Sequence, residues 1–181
     1  MACVACGRES WPCFIEYKNW RMVDSGCFHP FEVAFPLTNL ANAHGVLGDH
    51  KTNNDVLERA LWIEERHYGP DHFHVAVTLT NLAIAHGDLG DHKTMKEMLE
   101  RVLRIQERHH GPDHFQVAVT LTNLAIAHGD LGDHKTMKEM LERVLRIQER
   151  HHGPDHFQVA VTLTNLAIAH GDLGDHKTMK E

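Results

Sequence analysis

Cysteine disappears from this 181-residue sequence after position 27, its four thiols being Cys3, Cys6, Cys13 and Cys27. Whatever folds beyond that point does so without disulfides, which suits a reducing compartment and leads us to expect a cytoplasmic protein. No apolar run approaches the roughly 18–20 residues that cross a bilayer, so no membrane association is expected. The N-terminal stretch MACVACGRESW has no basic segment leading into a long apolar core, as a secretory signal would. Lys and Arg form no dense block and the net charge is −7, which argues against nucleic-acid and anionic-lipid partners. Catalytic signatures are missing too: there is no glycine-rich phosphate loop with a lysine, no HExxH and no nucleophile elbow. We therefore expect neither an enzyme nor a bound cofactor. No stretch alternates apolar and polar residues as a strand would. Yet 42% apolar against 24% charged residues is the balance of a folded domain.

What is present is a repeat. Gly-Pro-Asp-His-Phe begins at Gly69, Gly111 and Gly153, a 42-residue period. Residues 69–110 and 111–152 differ only at His74 against Gln116, and 153–181 repeats 111–139 unchanged. Residues 27–68 are a diverged copy, in which Leu37-Thr38-Asn39-Leu40-Ala41 aligns with Leu79-Thr80-Asn81-Leu82-Ala83. The chain divides into a Cys-containing N-terminal segment, 1–28, and an array over 29–181, with units 29–68, 69–110, 111–152 and a partial 153–181. It ends at Glu181, a few residues into a helix whose copies run to His110 and His152, so it reads as an incomplete array.

Each unit predicts two helices. Val75, Leu79, Leu82, Ala83 and His86 form one stripe of a 3.6-residue period. Pro70-Asp71 opens that helix, with Asp71 placed to cap it, and Gly87 and Gly90 end it. The second helix follows Asp91 or Thr94, and Thr94-x-x-Glu97 has capping-box spacing. Met95, Met98, Leu99, Val102 and Leu103 form its apolar stripe. Glu97 with Arg101 and Glu100 with Arg104 are spaced as i,i+4 pairs on its wet side. Gly111-Pro112 stops the helix. In the first unit Pro36 aligns with Thr78, so its first helix is expected to begin near Pro36. One unit cannot bury both stripes, whereas stacked units can; the fold class expected is all-α, an α-solenoid.

The spacing Leu79-x2-Leu82-Ala83-x2-His86, then Met95-x3-Leu99 with Gly90 in the turn, resembles the tetratricopeptide signature. The 42-residue unit with Gly-Pro-Asp-His-x-x-Val-Ala and Leu-x-Asn-Leu-Ala resembles the repeats of kinesin light chains and nephrocystin-3. The repeat tails of some NTPase sensors carry similar units. The resemblance covers about residues 29–181 and implies a right-handed solenoid of helix-turn-helix repeats. It also implies a non-catalytic scaffold or cargo adaptor that binds extended peptides in a concave groove. The alternative is the repeat tail of a larger signalling NTPase whose catalytic domain lies outside this sequence.

The same resemblance assigns Asn39, Asn81, Asn123 and Asn165 to peptide-backbone contact, a task that suits an amide because it both donates and accepts. Val77, Thr80, Ile84 and Asp88 are expected on that face, with Thr122, Ile126 and Asp130 in the next unit. The stretch 71–89 contains no Lys or Arg, so strongly acidic ligands are disfavoured.

Two departures stand out. His44, His86, His128 and His170 replace the usual core aromatic, and as buried neutral rings His86, His128 and His170 would make the fold acid-sensitive. Met95, Met137 and Met179, with Asn53 in the first unit, replace a small alanine at a tight helix crossing. Their bulk is expected to spread the pair or force repacking. The turn clusters His109, His110, Asp113, His114 and His86, Asp88, Asp91, His92 contain metal-ligand residue types, but duplication of structural histidines accounts for them and no metal is assigned. Cys3-x2-Cys6 has the spacing of half a zinc knuckle. Either Cys13 and Cys27 complete a site, or the thiols are free in a segment whose Trp11, Phe14, Ile15 and Trp20 cap the first repeat.

Overall fold

The computed structural model describes residues 30–173, which form seven helices and no strand. The four cysteines and the segment 1–28 lie outside the described residues, as does Met179. In chain order the helices are α1 (Pro30–Val46), α2 (His50–Tyr68), α3 (Phe73–Asp88), α4 (His92–His110), α5 (Phe115–Asp130), α6 (His134–His152) and α7 (Phe157–Asp172). Each packs on the next along the chain, and the result is the all-α solenoid the period implies.

The core is a chain of linked clusters. Val75, Ala76 and Leu79 of α3 pack on Val102 and Ile105 of α4, with Leu61 of α2 against them. Ala83 of α3, Met95 and Leu99 of α4, and Leu124 and Ala127 of α5 form the next cluster. Ala125, Met137, Leu141, Leu166 and Ala169 repeat it one unit on. Each fully buried Leu or Val contributes roughly 1.5–3 kcal/mol relative to exposure.

Repacking, not a lost contact, accommodates Met95. A Cβ placed on Gly87 would lie 2.6 Å from the Met95 sulfur, and one on Gly129 would lie 2.7 Å from that of Met137. The glycine on the first helix makes room for the methionine on the second. In the first unit the pair becomes Gly45 and Asn53, at 2.9 Å.

Caps and ion pairs differ from the local expectation in instructive ways. The second helices are capped by Asp49, Asp91 and Asp133, which accept from the backbone N–H of Thr52, Thr94 and Thr136. Thr94 therefore sits inside the helix, and its capping-box spacing is not used. Asp71 caps nothing. The helix starts one residue later than its position requires, so His72 Nδ1 takes the cap by accepting from the His74 N–H. The Asp71 carboxylate instead faces the Arg108 guanidinium at 2.8 Å, which holds its pKa below the usual carboxylate range. Arg101 ties its unit to the one before, with Nη2 2.6 Å from Glu65 Oε1 across the boundary and 2.7 Å from the Pro70 carbonyl of its own unit. Arg143 does the same to Glu107 and Pro112. A carboxylate and a bent-back carbonyl together offer this guanidinium more than the expected i,i+4 glutamate. At the turn itself Gly111 has φ +87°, a left-handed conformation that disfavours any side chain.

Pro36 lies inside α1, contrary to the expected late start. It forfeits one backbone hydrogen bond, but it is exposed, where water can satisfy the freed carbonyl, and Ala34 and Ala41 on either side are fully packed.

One buried charge is unpaired. Glu64 bonds the Thr78 hydroxyl, but its Oε2 has no partner, and burial pushes its pKa up. The next units carry Gln106 and Gln148 there, accepting from Thr120 and Thr162 at 2.6 and 2.7 Å.

Three outcomes follow for this architecture. Met95→Ala should lower the unfolding free energy in urea by about 2 kcal/mol or more, and adding Gly87→Ala should return about 1 kcal/mol through helix propensity and filled space. Gly87→Ala alone should return nothing; additive effects would show that the two positions do not share space. Glu64→Gln should stabilise the array at pH 7 by on the order of 1 kcal/mol and not at pH 4. A carboxyl with a raised folded pKa loses stability only as pH climbs past its unfolded value near 4.5, so equal gains in melts at both pH values would refute the assignment. Finally, α5 and α7 have the same sequence, yet Leu121 is 2% exposed and Leu163 49%. Amide exchange, resolved by NMR on segmentally labelled protein, should be faster in α7 because fewer neighbours cover it. Equal protection would mean that another surface covers α7.

Candidate functional site

The first helix of each unit turns Leu79, Leu82 and Ala83 inward and leaves a second stripe outside. Val77 is 52% and Ile84 40% exposed, and Val119 and Ile126 repeat this in α5. Asn81, Asn123 and Asn165 are half-buried between these apolar residues, while Asn39 is exposed. The hydroxyls of Thr80 and Thr122 donate back to the carbonyls of Ala76 and Ala118 at 2.8 and 2.9 Å. Their hydrogens are thus committed to the helix, and what they offer outward is a methyl group and an acceptor.

Asp88 and Asp130, half-exposed, end the stripe. Each faces an imidazole at the start of the preceding unit's second helix: His50 Nδ1 lies 3.6 Å from Asp88 and His92 Nδ1 3.2 Å from Asp130. His134 and Asp172 continue the ladder at 3.3 Å. These histidines carried no signal in the helical stripe; reading the second helix's first residue against the previous unit's register would have found them.

Asn81, Ile84 and Asp88 come together in one open cleft of about 310 Å3, at the lower bound of the roughly 300–1,000 Å3 of small-ligand sites. Ala85 of α3, Asn42, Gly45 and Val46 of α1, and Asn53 of α2 complete its lining. Asn42 and Val46 were not expected at a site. The signal that would have shown them is the alignment itself: they stand where later units have Ile84 and Asp88.

The rings at the aromatic core positions have polar partners. His44, His86 and His128 turn toward Asp49, Asp91 and Asp133 at 3.3, 3.5 and 3.0 Å. An imidazole has a polar nitrogen that an aromatic lacks, and the helix-capping carboxylate a few residues on is within its reach. Those carboxylates have pKa values lowered first by their threonine hydrogen bonds and then by the facing histidine. These three imidazoles are therefore not unpaired in the core, contrary to the expectation of apolar packing.

At the opposite turns the imidazoles stack. Ring centroids lie 4.6 Å apart in Tyr68–His72, 4.4 Å in His110–His114 and 4.4 Å in His152–His156. Among the described residues no group of three or more His, Cys, Asp or Glu converges on a point where a metal ion would sit.

Several solved structures share this architecture. BtubC (BKLC) from P. vanneervenii superposes with a TM-score of 0.79 at 21% identity, over 87% of this chain and 63% of that one. A putative kinesin light chain from Podosopora anserina, with nearly identical TPR-like repeats, gives 0.76 at 23% identity over 83% and 71%. The first TPR of Spaghetti (RPAP3), bound to the HSP90 peptide SRMEEVD, gives 0.59 at 17% identity over 79% and 94%. This chain thus spans less than two thirds of BtubC, and identities this low speak for the fold alone. No curated protein sequence matches the chain. The family model described as tetratricopeptide repeat matches residues 32–107, 88–136 and 116–178. Together with the 42-residue helix pairs, that match means the chain belongs to the tetratricopeptide repeat family.

Proposed function

We propose that the protein is a non-catalytic protein–protein interaction module that holds an extended peptide segment along the outer stripe of its first helices, as a scaffold or cargo adaptor in the cytoplasm. The observation that carries this reading is the recurring set of a half-buried amide flanked by exposed aliphatic residues: Asn81 with Val77 and Ile84, and Asn123 with Val119 and Ile126. An extended backbone presents one donor and one acceptor per residue. An amide on a partly dry surface can take both, while the aliphatic neighbours cover alternate side chains. The structure of Spaghetti with its HSP90 peptide gives a relative by fold in which a peptide is bound.

Ligand charge follows from the lining. That peptide, SRMEEVD, is rich in acidic residues, whereas the stretch 71–89 here carries no Lys or Arg and displays Asp88 instead. The ligand is therefore a peptide that is not strongly acidic.

The test uses a peptide selected from a random library on the wild-type protein. Replacing Asn81 and Asn123 together by Ala should weaken its binding by at least about 1 kcal/mol, roughly five-fold, through lost hydrogen bonds. Unchanged affinity in a calorimetric titration would place the ligand elsewhere.

A further inference from the structure

Charge is sorted between the two kinds of helix. Among residues 30–173 every Lys and Arg lies on a second helix, α2, α4 or α6, and the first helices α1, α3, α5 and α7 carry none. From the second unit on, each first helix instead ends on a carboxylate, Asp88, Asp130 or Asp172. This is the unfavourable end for an anion, because the unpaired carbonyls of a helix C-terminus already make it the negative pole of the helix dipole. No permanent charge in the described fold answers the three. Among the described residues no Lys or Arg comes within ion-pair distance of them, and the neighbour of each is an imidazole, at 3.6, 3.2 and 3.3 Å. Their side chains remain 48, 43 and 46% exposed, open to a ligand.

The carboxylates belong to the outer stripe. Val77, Asn81, Ile84 and Asp88 follow one another at steps of four, three and four, which keeps them on a single face of α3. The same four residue types recur at the same steps on α5, ending at Asp130, and on α7, ending at Asp172. Every valine and isoleucine of the three stripes is at least 40% exposed. The open cleft shows these chemistries on one wall, where Asn81, Ile84 and Asp88 line it together. The units stack in chain order and α3 touches α5 directly, so the stripes lie side by side. The groove thus has aliphatic and amide rows inside and, along one edge, a row of carboxylates with one per unit. In the first unit Val46 stands at this position, so the row begins with the second.

Spacing says how a ligand meets that edge. Packed helices lie about 8–10 Å apart, and an extended or polyproline chain advances about 3.1–3.4 Å per residue. One unit therefore spans about three residues of ligand. In the polyproline conformation about three residues also complete one turn, so every third side chain points the same way. Cationic side chains at that interval would meet the three carboxylates, and the negative helix poles behind them, in succession. The residues between would lie over the valines and isoleucines. An acidic ligand would be repelled at each step.

Resting on the peptide-binding reading above, we propose that the groove selects basic peptides, which place a cationic side chain at every third residue opposite Asp88, Asp130 and Asp172 with aliphatic residues between.

The experiment titrates the full chain by calorimetry at pH 7.5 with three capped peptides: three repeats of Lys-Val-Pro, the same residues rearranged with the lysines contiguous, and three repeats in which each lysine is Nζ-acetylated. The spaced peptide should bind about ten-fold more tightly than either of the others, the sum of three modest exposed ion pairs. Replacing all three carboxylates, Asp88→Asn, Asp130→Asn and Asp172→Asn, should abolish that preference. It should not lower Tm, because each amide keeps the shape and removes a negative charge from a helix C-terminus. Glu97→Gln, which removes an exposed carboxylate from α4, should leave the preference intact. Equal affinity for the spaced and contiguous peptides would reduce the binding to net charge and overturn the proposal. A fall in Tm with the preference unchanged would make these carboxylates structural partners of the imidazoles and overturn it as well. The amide reading is checked apart from it. If the library-selected peptide is lost in the Asn81→Ala/Asn123→Ala variant and the spaced lysines show no preference, the carboxylate row alone is rejected. If the spaced-lysine preference survives in that variant and fails in the aspartate one, the amide contact alone is rejected.

Discussion

No unit of this chain owns a complete core. Leu99 is fully buried only because Leu124 and Ala127 of the following unit close over it, and Leu141 depends in the same way on Leu166 and Ala169. Nearest-neighbour stacking is therefore the constraint from which the rest follows. It orders the first helices side by side, which aligns their outer stripes. It also brings Arg101 within reach of the previous unit's Glu65, and His92 within reach of the next unit's Asp130. The polar contacts between units add register to an attachment that apolar burial already makes. These partly exposed pairs contribute modestly to stability on their own.

Within that constraint the volume at each crossing is conserved between partners, not at fixed positions. Family resemblance places a small residue where Met95 stands, and the compensating loss appears on the facing helix at Gly87. A core tolerates such an exchange because density, more than residue identity, must be kept. The first unit shows what happens when one side changes without the other. Gly45 stays, the methionine becomes Asn53, and the amide nitrogen takes the sulfur's place beside the glycine.

The helices and their order were legible in the sequence because a 3.6-residue apolar stripe repeated every 42 residues leaves little choice of architecture. The outer position of Val77, Ile84 and Asp88 followed from the same stripe. What escaped were choices among competing partners. Arg101 had Glu97 at helical spacing, but Glu65 and a bent-back carbonyl were nearer in space. His86 sat at an aromatic position, but a capping carboxylate lay five residues on. Asp71 looked like a cap until the helix began one residue later. Pro36 looked like a helix start, yet the packing of Ala34 and Ala41 carried the helix through it. Periodicity tells which way a side chain points; it says nothing about the chain segments it meets there. The cleft is an intermediate case, since the lining residues that depart from the later units were visible in the alignment but the open volume was not.

Repetition without divergence has a consequence for heredity. The surfaces joining α4 to α5 and α6 to α7 are built from the same residues in the same order, so each junction is interchangeable with the other. Unequal recombination that inserts or removes 42 codons within this stretch would leave every remaining interface as it was, with no orphaned side chain and no new cavity. Array length can then vary among descendants in whole-unit steps without cost to folding. The reach of the outer stripe would be free to evolve by counting.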